Sequence, residues 1–255
     1  ERIREVLRLW LKLAGRRYDL VVTGHSDPRY LILSAPVISK KRRAFTWKHR
    51  NRIPGRFHSD EYLRLVTDID GPDAPTALLP TLRCPLREEL GSRLLSEGRP
   101  LVALAPGGAR NVLSDDPVRR WPVENYVELA RLLVKEGVRV VLTGGATDTW
   151  ACSAFKNVEG VVNLIGHTSV TDLLAVYRVS NVVVTHDSGS LHLAILAGAR
   201  VVALFGPTDP REKVPRSDKV RVVWGGRDLA CRPCYNGWSY AKCARNLCML
   251  SISPT

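Results

Sequence analysis

The sequence predicts an α/β fold in which helices cover both faces of a parallel, doubly wound sheet. Short apolar runs alternate with helical patterns through the C-terminal half, which is typical of strands buried on both faces. Polar, glycine-rich turns follow four of these runs. Four prolines between residues 72 and 85 separate this region from the N-terminal part. Prolines at this density indicate an irregular connection between two domains.

The N-terminal part begins with a predicted amphipathic helix at residues 2–14, which Gly15 is placed to end. We expect this helix to pack on a sheet, with contact to a membrane surface as the alternative. Residues 19–24 predict a buried strand, and residues 57–70 predict a further helix. A helix that leads into a buried strand is half of a β-α-β unit. We therefore expect the first strand of that unit upstream, so that the N-terminal domain is incomplete.

The C-terminal part predicts a regular alternation of strands and helices. We expect strands at Leu101–Ala105, 138–143, 161–164, 181–185, 200–205 and Val220–Trp224. We expect helices at residues 122–137, 171–179 and 190–198. Proline at the start and glycine at the end support the first of these helices. The two domains are accordingly predicted to comprise residues 1–90 and 91–255.

The chain is strongly basic, with a formal net charge of +13. Such a chain attracts anions, which include nucleic acids, anionic membranes and phosphorylated small molecules. Residues 40–56 hold eight basic residues and no acid. This run is consistent with a solvated loop and, alternatively, with a patch that binds an anionic acceptor or a membrane surface. No apolar run reaches the roughly 18 residues that are needed to span a bilayer.

The polar turns are expected at the carboxyl edge of the sheet, where ligands bind in doubly wound folds. They comprise Gly107 and Gly108 after the first strand, residues 144–148 after the second, and residues 186–190 and 206–210 after two later strands. None of them is a Walker loop or a Gly-x-Gly-x-x-Gly turn. Together they outline a cleft of nucleotide size.

The turn at residues 186–190 carries the clearest chemical signal. It joins a strand to a helix N-terminus, whose free N–H groups and partial positive charge suit a phosphate. Gly189 lets the backbone approach a ligand closely, Ser188 adds a hydroxyl, and His192 lies in the first turn of the helix. The alternative is that Asp187 and Ser188 only cap the helix.

Two arginines, Arg119 and Arg120, precede the helix that Pro122 opens. An arginine at this position can reach across to a diphosphate bound at the neighbouring turn. The alternative is a surface arginine beside a core tryptophan. Trp121 is expected in the core in either case.

With these motifs in place, the sequence resembles the heptosyltransferases of glycosyltransferase family 9. The matching segments include LVALAPGGAR, RRWPVENYVELARLL, NVVVTHDSGSLHLAILAG and VVALFGPTDP. The resemblance implies the GT-B architecture, in which two Rossmann-like domains face a cleft. It implies that the C-terminal domain binds a nucleotide sugar, typically ADP-heptose, and that the N-terminal domain binds the inner core of lipopolysaccharide. It further implies inverting transfer that requires no metal or other cofactor.

The resemblance and the turns together predict the residues of the nucleotide-sugar site. These residues are Asp187, Ser188, Gly189, His192, Arg120, Thr168, Asp148, Gly107 and Gly108. The first four match the family's pyrophosphate-binding turn, and Arg120 falls where the family often has a phosphate-binding lysine. Thr168 falls near the adenine, and Asp148 falls near a ribose-binding acid. Ser190 departs from the proline or leucine of many members, and we expect this change to be tolerated.

The catalytic base that the resemblance implies is an aspartate in a Gly-Asp-x-x-x-Thr turn. That turn has no match in these residues, so no catalytic residue is assigned, and we expect the 255 residues alone not to transfer sugar. The resemblance implies a bacterial, cytoplasmic enzyme, with peripheral contact at the inner face of the cytoplasmic membrane left open. Its implied partners are the nucleotide-sugar donor and an anionic glycan or lipid-linked acceptor.

Two other functions remain open from the sequence. One is another GT-B enzyme, such as a nucleotide-sugar epimerase or a transferase of a different sugar. The other is a basic nucleic-acid-binding module with a zinc site at Cys231, Cys234, Cys243 and Cys248. The irregular cysteine spacing and the absence of an aromatic RNA-binding motif disfavour this module, so no nucleic-acid partner is expected.

The same four cysteines lie in residues 231–248, a segment without a clear periodic pattern. A connection of this length needs something that holds it in place. We expect a structural clip formed by zinc or by loosely associated thiols, because a cytoplasmic location disfavours disulfides. The segment is not one of the four turns that outline the predicted cleft, so we expect it to take no part in the reaction.

Overall fold

The computed structural model describes residues 2–25, 27–45, 53–69, 79–95, 98–110, 115–236 and 239–255. The chain divides into two compact units, Glu1–Leu78 and Leu79–Thr255. This division precedes the boundary between residues 90 and 91 that the sequence predicts. The reason is that the helix at Glu88–Leu94, labelled α4 below, buries Leu90 and Leu94 in the core of the larger unit.

The smaller unit contains parallel strands and helices among its described residues. They are α1 (Arg2–Leu13), β1 (Arg17–Thr23), α2 (Pro28–Leu33), β2 (Ile38–Ala44) and α3 (His58–Thr67). The helices predicted at residues 2–14 and 57–70 are confirmed. The strand predicted at residues 19–24 is present, but the expectation that it is buried is wrong, since within β1 only Thr23 is buried. A sheet of two strands leaves much of its faces open.

The basic run at residues 40–56 begins as a strand, not as a loop, because β2 pairs in parallel with β1. Arg42 donates hydrogen bonds to backbone carbonyls of the turn before β2. Arg43 lies 3.4 Å from the carboxylate of Asp68. These two charges therefore stabilise the unit itself. Residues 46–52 of the run lie outside the described residues.

The larger unit is built on a six-stranded sheet. Its strands are β3 (Leu101–Ala105), β4 (Arg139–Leu142), β5 (Val161–Asn163), β6 (Val182–His186), β7 (Val201–Phe205) and β8 (Val220–Trp224). Its helices are α4 (Glu88–Leu94), α5 (Val123–Lys135), α6 (Val170–Val179), α7 (Gly189–Leu196), α8 (Pro210–Lys213) and α9 (Leu247–Leu250). The strand order is β5-β4-β3-β6-β7-β8, and every neighbouring pair is parallel. The strands and helices predicted for this region are confirmed, with small shifts at their ends.

The sheet separates two apolar cores, as a doubly wound fold requires. Alternate residues of β3 face opposite sides: Ala103 packs with α6 and α7, whereas Leu104 packs with α5. Trp121 is buried in the core with α5, as predicted, and its indole N–H donates to the carbonyl of Ile252 at 3.0 Å. Burial of both faces accounts for the continuous apolar character of the strands.

Candidate functional site

The four polar turns of the larger unit lie side by side at one edge of the sheet, as predicted. β4, β3, β6 and β7 are consecutive and parallel, so the residues that follow them meet at the same edge. Along this edge the turns are residues 144–148, 106–110, 187–190 and 206–210. This order decides which of their side chains can meet.

Asp148 holds the first two of these turns together. Its Oδ1 accepts the N–H of Gly108 and its Oδ2 accepts the N–H of Gly145, each at 2.8 Å. A Cβ built on Gly107 would lie 2.2 Å from Asp148 Cγ, so only glycine fits there. The sequence predicts Asp148 for ribose binding. In the structure Asp148 is buried, and its hydrogen bonds fix the backbone of the turns at residues 106–110 and 144–148.

Asp187 joins the third turn to the fourth. The residue is 4% exposed, and its Oδ2 accepts the hydroxyl hydrogen of Thr208 at 2.8 Å. Arg119 donates from Nη1 to the backbone carbonyl of Asp187 at 3.1 Å. The same Nη1 lies 3.7 Å from the Asp187 carboxylate. Asp187 therefore contacts both the neighbouring turn and the partly buried Arg119.

The N-terminus of α7 has no side-chain cap. Ser188 occupies the N-cap position with an extended backbone, yet its side chain makes no capping hydrogen bond. Its Oγ lies 3.4 Å from Thr185 Oγ1 instead. A Cβ built on Gly189 would meet no atom within 4 Å, so this glycine faces open space. This arrangement is expected of an anion site and differs from a helix that Ser188 only caps.

Arg119 and Arg120 reach different turns of this edge. Arg119 contacts Asp187, and its buried Nε has no hydrogen-bond partner among the described residues. Arg120 donates from Nε to the carbonyl of Gly108 at 2.9 Å. The sequence assigns the phosphate contact to Arg120 alone, whereas the structure also places Arg119 beside the Asp187 turn. In the sequence, the two adjacent arginines were the pattern from which both contacts could have been predicted.

His192 lies on α7 among several charges. His192 is exposed to solvent on part of its surface. Burial lowers the pKa of His192, Asp187 raises it, and Lys213 and Arg119 lower it. The imidazole is therefore mostly neutral near pH 7, and a bound anion would favour its protonated form. Thr168 lies in the loop between β5 and α6, at the outer end of the same edge.

His186 lies in a predicted turn, but the structure buries it at the end of β6. Its Nδ1 lies 3.2 Å from the Tyr126 hydroxyl, and its Nε2 has no partner among the described residues. Burial lowers the pKa of His186 to about 3, and the charges of Arg119 and Arg120 contribute. The imidazole is therefore neutral at physiological pH and offers no positive charge to a ligand.

Ser190 belongs to a small polar network beneath the third turn. Burial raises the pKa of the Tyr177 hydroxyl and the nearby Ser190 side chain lowers it, and this hydroxyl lies 3.1 Å from Thr143 Oγ1. Neither proline nor leucine could place a hydroxyl group beside Tyr177. The network is a physical reason for expecting serine to be tolerated at residue 190.

A cavity of about 580 Å³ lies beside the third turn. It is lined by Asp115, Asp116, Pro117, Val118, Arg119, Asp187, Lys213, Tyr235, Ser239 and Tyr240. The last three belong to residues 231–248, so the expectation that this segment does not outline the cleft is wrong. The missed signal is the Asn-Gly pair at residues 236–237, which stands between two tyrosines and favours a hairpin.

A larger cavity of about 980 Å³ lies elsewhere in the larger unit. Its walls are mostly apolar and come from β7, β8 and residues 225–229 and 247–255, with Trp121, Leu129 and Val184. None of the residues of the four turns lines it. The 580 Å³ cavity, which contains Asp187, is therefore the one that belongs to the candidate site.

The four late cysteines are neighbours and form no disulfide. Burial raises the pKa of the Cys234 and Cys248 thiols, and adjacent thiols raise it further. Within the described parts of the chain, no group of three or more His, Cys, Asp or Glu side chains is arranged to hold a metal ion. The clip by zinc or by associated thiols stays a prediction.

Comparison with known proteins identifies the family. A model of glycosyltransferase family 9 (heptosyltransferase) matches residues 6–244. Lipopolysaccharide heptosyltransferase 2 of Salmonella typhimurium is 37% identical over 135 residues, which cover 51% of this chain and 37% of that protein. The solved structure of Escherichia coli ADP-heptose LPS heptosyltransferase II is 26% identical, with a TM-score of 0.65 over 100% of this chain and 77% of that one.

A second solved structure, a family 9 glycosyl transferase from Veillonella parvula, matches with a TM-score of 0.67 at 21% identity. The match covers 87% of this chain and 67% of the Veillonella parvula chain. The chain spans little more than a third of the curated Salmonella relative's length. The structural matches and the parallel sheets confirm the predicted α/β fold of the GT-B type. Since the family model matches most of the sequence, this chain belongs to glycosyltransferase family 9, the heptosyltransferase family.

Proposed function

We propose that this protein transfers a heptose from ADP-heptose to an anionic glycan acceptor of the lipopolysaccharide type. The observation that carries the proposal is the third turn, where Asp187, Ser188 and Gly189 precede an uncapped helix N-terminus beside two arginines. Helix N-termini bind phosphate groups through their free N–H groups and partial positive charge. The names of the relatives, lipopolysaccharide heptosyltransferases, support the choice of sugar and acceptor.

We place the donor along the sheet edge in the order of the turns. Adenosine lies towards Thr168 and Asp148, on the side of β5 and β4, for which the family resemblance is the support. The diphosphate lies between Gly108 and Gly189, at the ends of β3 and β6, for which the geometry of α7 is the support. The sugar then lies on the remaining side, towards β7.

The proposed reaction is a single displacement that inverts the anomeric carbon. The acceptor oxygen forms a bond to that carbon while the bond to the ADP oxygen breaks, and the bonding electron pair leaves with ADP. The hydroxyl proton passes to a general base, for which the resemblance implies an aspartate of the acceptor-binding domain. Negative charge grows on the leaving phosphate, where the start of α7, Arg120 and His192 can stabilise it. Donors that are held in position before the reaction lower the barrier without reorganisation.

We propose that this transfer is independent of metal ions. Arg119 and Arg120 are held at the turns by Asp187 and Gly108, close to where the diphosphate is placed. A planar guanidinium can bind two phosphate oxygens at once and is always charged. These arginines therefore supply charge that a divalent cation would otherwise bring to the leaving group.

We propose that α1 makes peripheral contact with the inner face of the cytoplasmic membrane. Ile3, Leu7 and Leu11 are exposed, and their spacing places them on one face of the helix. Exposed basic residues follow each of them: Arg4, Arg8 and Lys12. Helices with an apolar stripe and basic residues bind anionic membrane surfaces. None of the described helices has the length and apolar character needed to cross a bilayer.

Isothermal titration calorimetry of ADP binding tests the donor site. We expect the 255-residue chain to bind ADP equally well with and without excess chelator, and to bind UDP more weakly. Loss of ADP binding in the chelator would contradict the metal-free site. A preference for UDP would favour the other GT-B function, a nucleotide-sugar epimerase or a transferase of another sugar.

A further inference from the structure

A short hairpin, in which residues 234–236 lie antiparallel to residues 239–241, is attached to the fourth turn of the candidate site. The N–H groups of Cys234 and Tyr235 both donate to the carbonyl of Pro207, at 2.9 and 3.2 Å. The N–H of Ala241 donates to the carbonyl of Cys234 at 3.2 Å, which closes the hairpin. Tyr235 and Tyr240 face each other across it, with ring centroids 4.7 Å apart. The aromatic pair is therefore held at a defined position beside the end of β7.

This aromatic pair forms one wall of the 580 Å³ cavity, a volume within the range of about 300–1,000 Å³ of small-molecule sites. Arg119 and Lys213 line the cavity, and Lys213 Nζ lies 5.7 Å from the centre of the Tyr235 ring. The buried Nε of Arg119 has no hydrogen-bond partner among the described residues. The cavity thus combines aromatic faces with fixed charges.

The charges of the cavity favour a neutral ligand that carries hydroxyl groups. Its lining includes three carboxylates and two cations: Asp115, Asp116, Asp187, Arg119 and Lys213. Asp116 and Asp115 are ion-paired with Arg119 and Arg120, so the lining carries little net charge. The carboxylates can still accept hydrogen bonds from hydroxyl groups. Aromatic faces add apolar contact for the C–H groups of a ring. A sugar ring satisfies each of these conditions.

We propose that Tyr235 and Tyr240 contact the sugar of the donor and determine which sugar is accepted. The inference rests on the proposed function, because it is the ADP portion at the first three turns that directs the sugar towards β7. The tyrosines lie where that sugar is expected, since their hairpin is bound to Pro207, directly after β7. They are specificity residues in this proposal and take no part in bond cleavage.

Calorimetry with ADP and with ADP-heptose tests the proposal in the full 255-residue chain. Tyr235→Leu and Tyr240→Leu remove the aromatic faces and keep apolar side chains. We expect each variant to bind ADP as the parent does, and to bind ADP-heptose about fivefold more weakly. Equal weakening of both ligands, or no change in either, would overturn the proposal. Tyr18→Leu is the matched control, because Tyr18 is an exposed tyrosine of the smaller unit, and it should change neither affinity.

Hydrogen exchange of the unmodified chain gives a second test that does not depend on variants that fold. We expect ADP-heptose to protect the amides of residues 234–236 and 239–241 more than ADP does. Equal protection by the two ligands would overturn the proposal, and so would protection by an acceptor glycan in the absence of donor. If the parent chain binds no ADP, the proposed function itself fails. ADP binding without discrimination of the sugar overturns only the assignment of the tyrosines.

Discussion

Thr208 donates its hydroxyl hydrogen to Oδ2 of Asp187 over 2.8 Å, and both residues are buried. The bond joins the third and fourth turns, which belong to adjacent strands, β6 and β7. A buried carboxylate that loses a donor keeps the cost of its desolvation. This contact therefore affects both the stability of the edge and the position of the α7 N-terminus.

Replacing Thr208 tests this contact. We expect Thr208→Val to lower the free energy of unfolding by about 1–3 kcal/mol, because the Asp187 carboxylate loses its hydroxyl donor. ADP affinity should fall as well, since Asp187 positions the turn. Thr208→Ser keeps the hydroxyl and should remain close to the parent in both. Urea denaturation and calorimetry measure the two effects, and a valine variant as stable as the parent would contradict the prediction.

Alanine substitution at two glycines of this edge should have different effects, because one variant should lose stability and the other should lose affinity for ADP. Gly107→Ala would place a Cβ 2.2 Å from Asp148 Cγ, so we expect a loss of about 1–3 kcal/mol in stability from overpacking. Gly189→Ala meets no protein atom within 4 Å and should leave the stability unchanged. The added methyl would instead occupy the space proposed for the phosphate. We expect ADP affinity to fall roughly tenfold, the equivalent of about one lost hydrogen bond to a charged group.

Thermal melting and ADP calorimetry of these two alanine variants separate the effects. If Gly189→Ala bound ADP as the parent does, the anion would have to lie away from the start of α7. If Gly107→Ala were fully stable, the close contact with Asp148 would not be important for the fold.

His192 should make ADP binding depend on pH. Burial lowers the pKa of its imidazole, so the free protein carries a largely neutral ring at pH 7. The protonated ring attracts a phosphate, so binding takes up a proton, and the contribution of His192 should grow as the pH falls from 7 through 6. His192→Ala should bind ADP up to about tenfold more weakly at the lower pH, and with a smaller difference at pH 8.

The informative quantity for His192 is the ratio of parent to variant affinity at each pH. Taking this ratio cancels the titration of ADP itself. A ratio that does not change between pH 8 and pH 6 would show that His192 does not meet the anion in its charged form.

The late cysteines should stabilise the hairpin that carries Tyr235 and Tyr240. We expect the double replacement of Cys231 and Cys234 by serine to lower the melting temperature, whether the clip is made by zinc or by associated thiols. ADP affinity should stay near that of the parent, because the diphosphate is placed at other turns. Serine at Cys152, which lies outside the hairpin, is the control. An unchanged melting temperature would contradict the clip, and a metal analysis of the purified chain would show whether zinc is present.

The amino-acid sequence by itself determined the features that depend on residues close together in the chain, namely the buried strands and the polar turns that follow them. β3 and β8 occupy the residues predicted for them, because continuous apolar runs identify strands that are buried on both faces. The edge with four turns followed from the same pattern, since parallel strands place their carboxyl ends together. β2 was missed because its residues are mostly charged, and it is identified as a strand only by its pairing with β1.

Only the tertiary structure decided which side chains share the candidate site. Arg119 and Arg120 are adjacent in sequence, yet one reaches Asp187 and the other Gly108, because successive side chains point in different directions. The hairpin of Tyr235 joins the site through hydrogen bonds to Pro207, a residue of a different turn. Contacts of this kind depend on how parts of the chain that are distant in sequence pack together. Local sequence patterns describe the elements themselves, and they contain no information about which distant loop will lie against them.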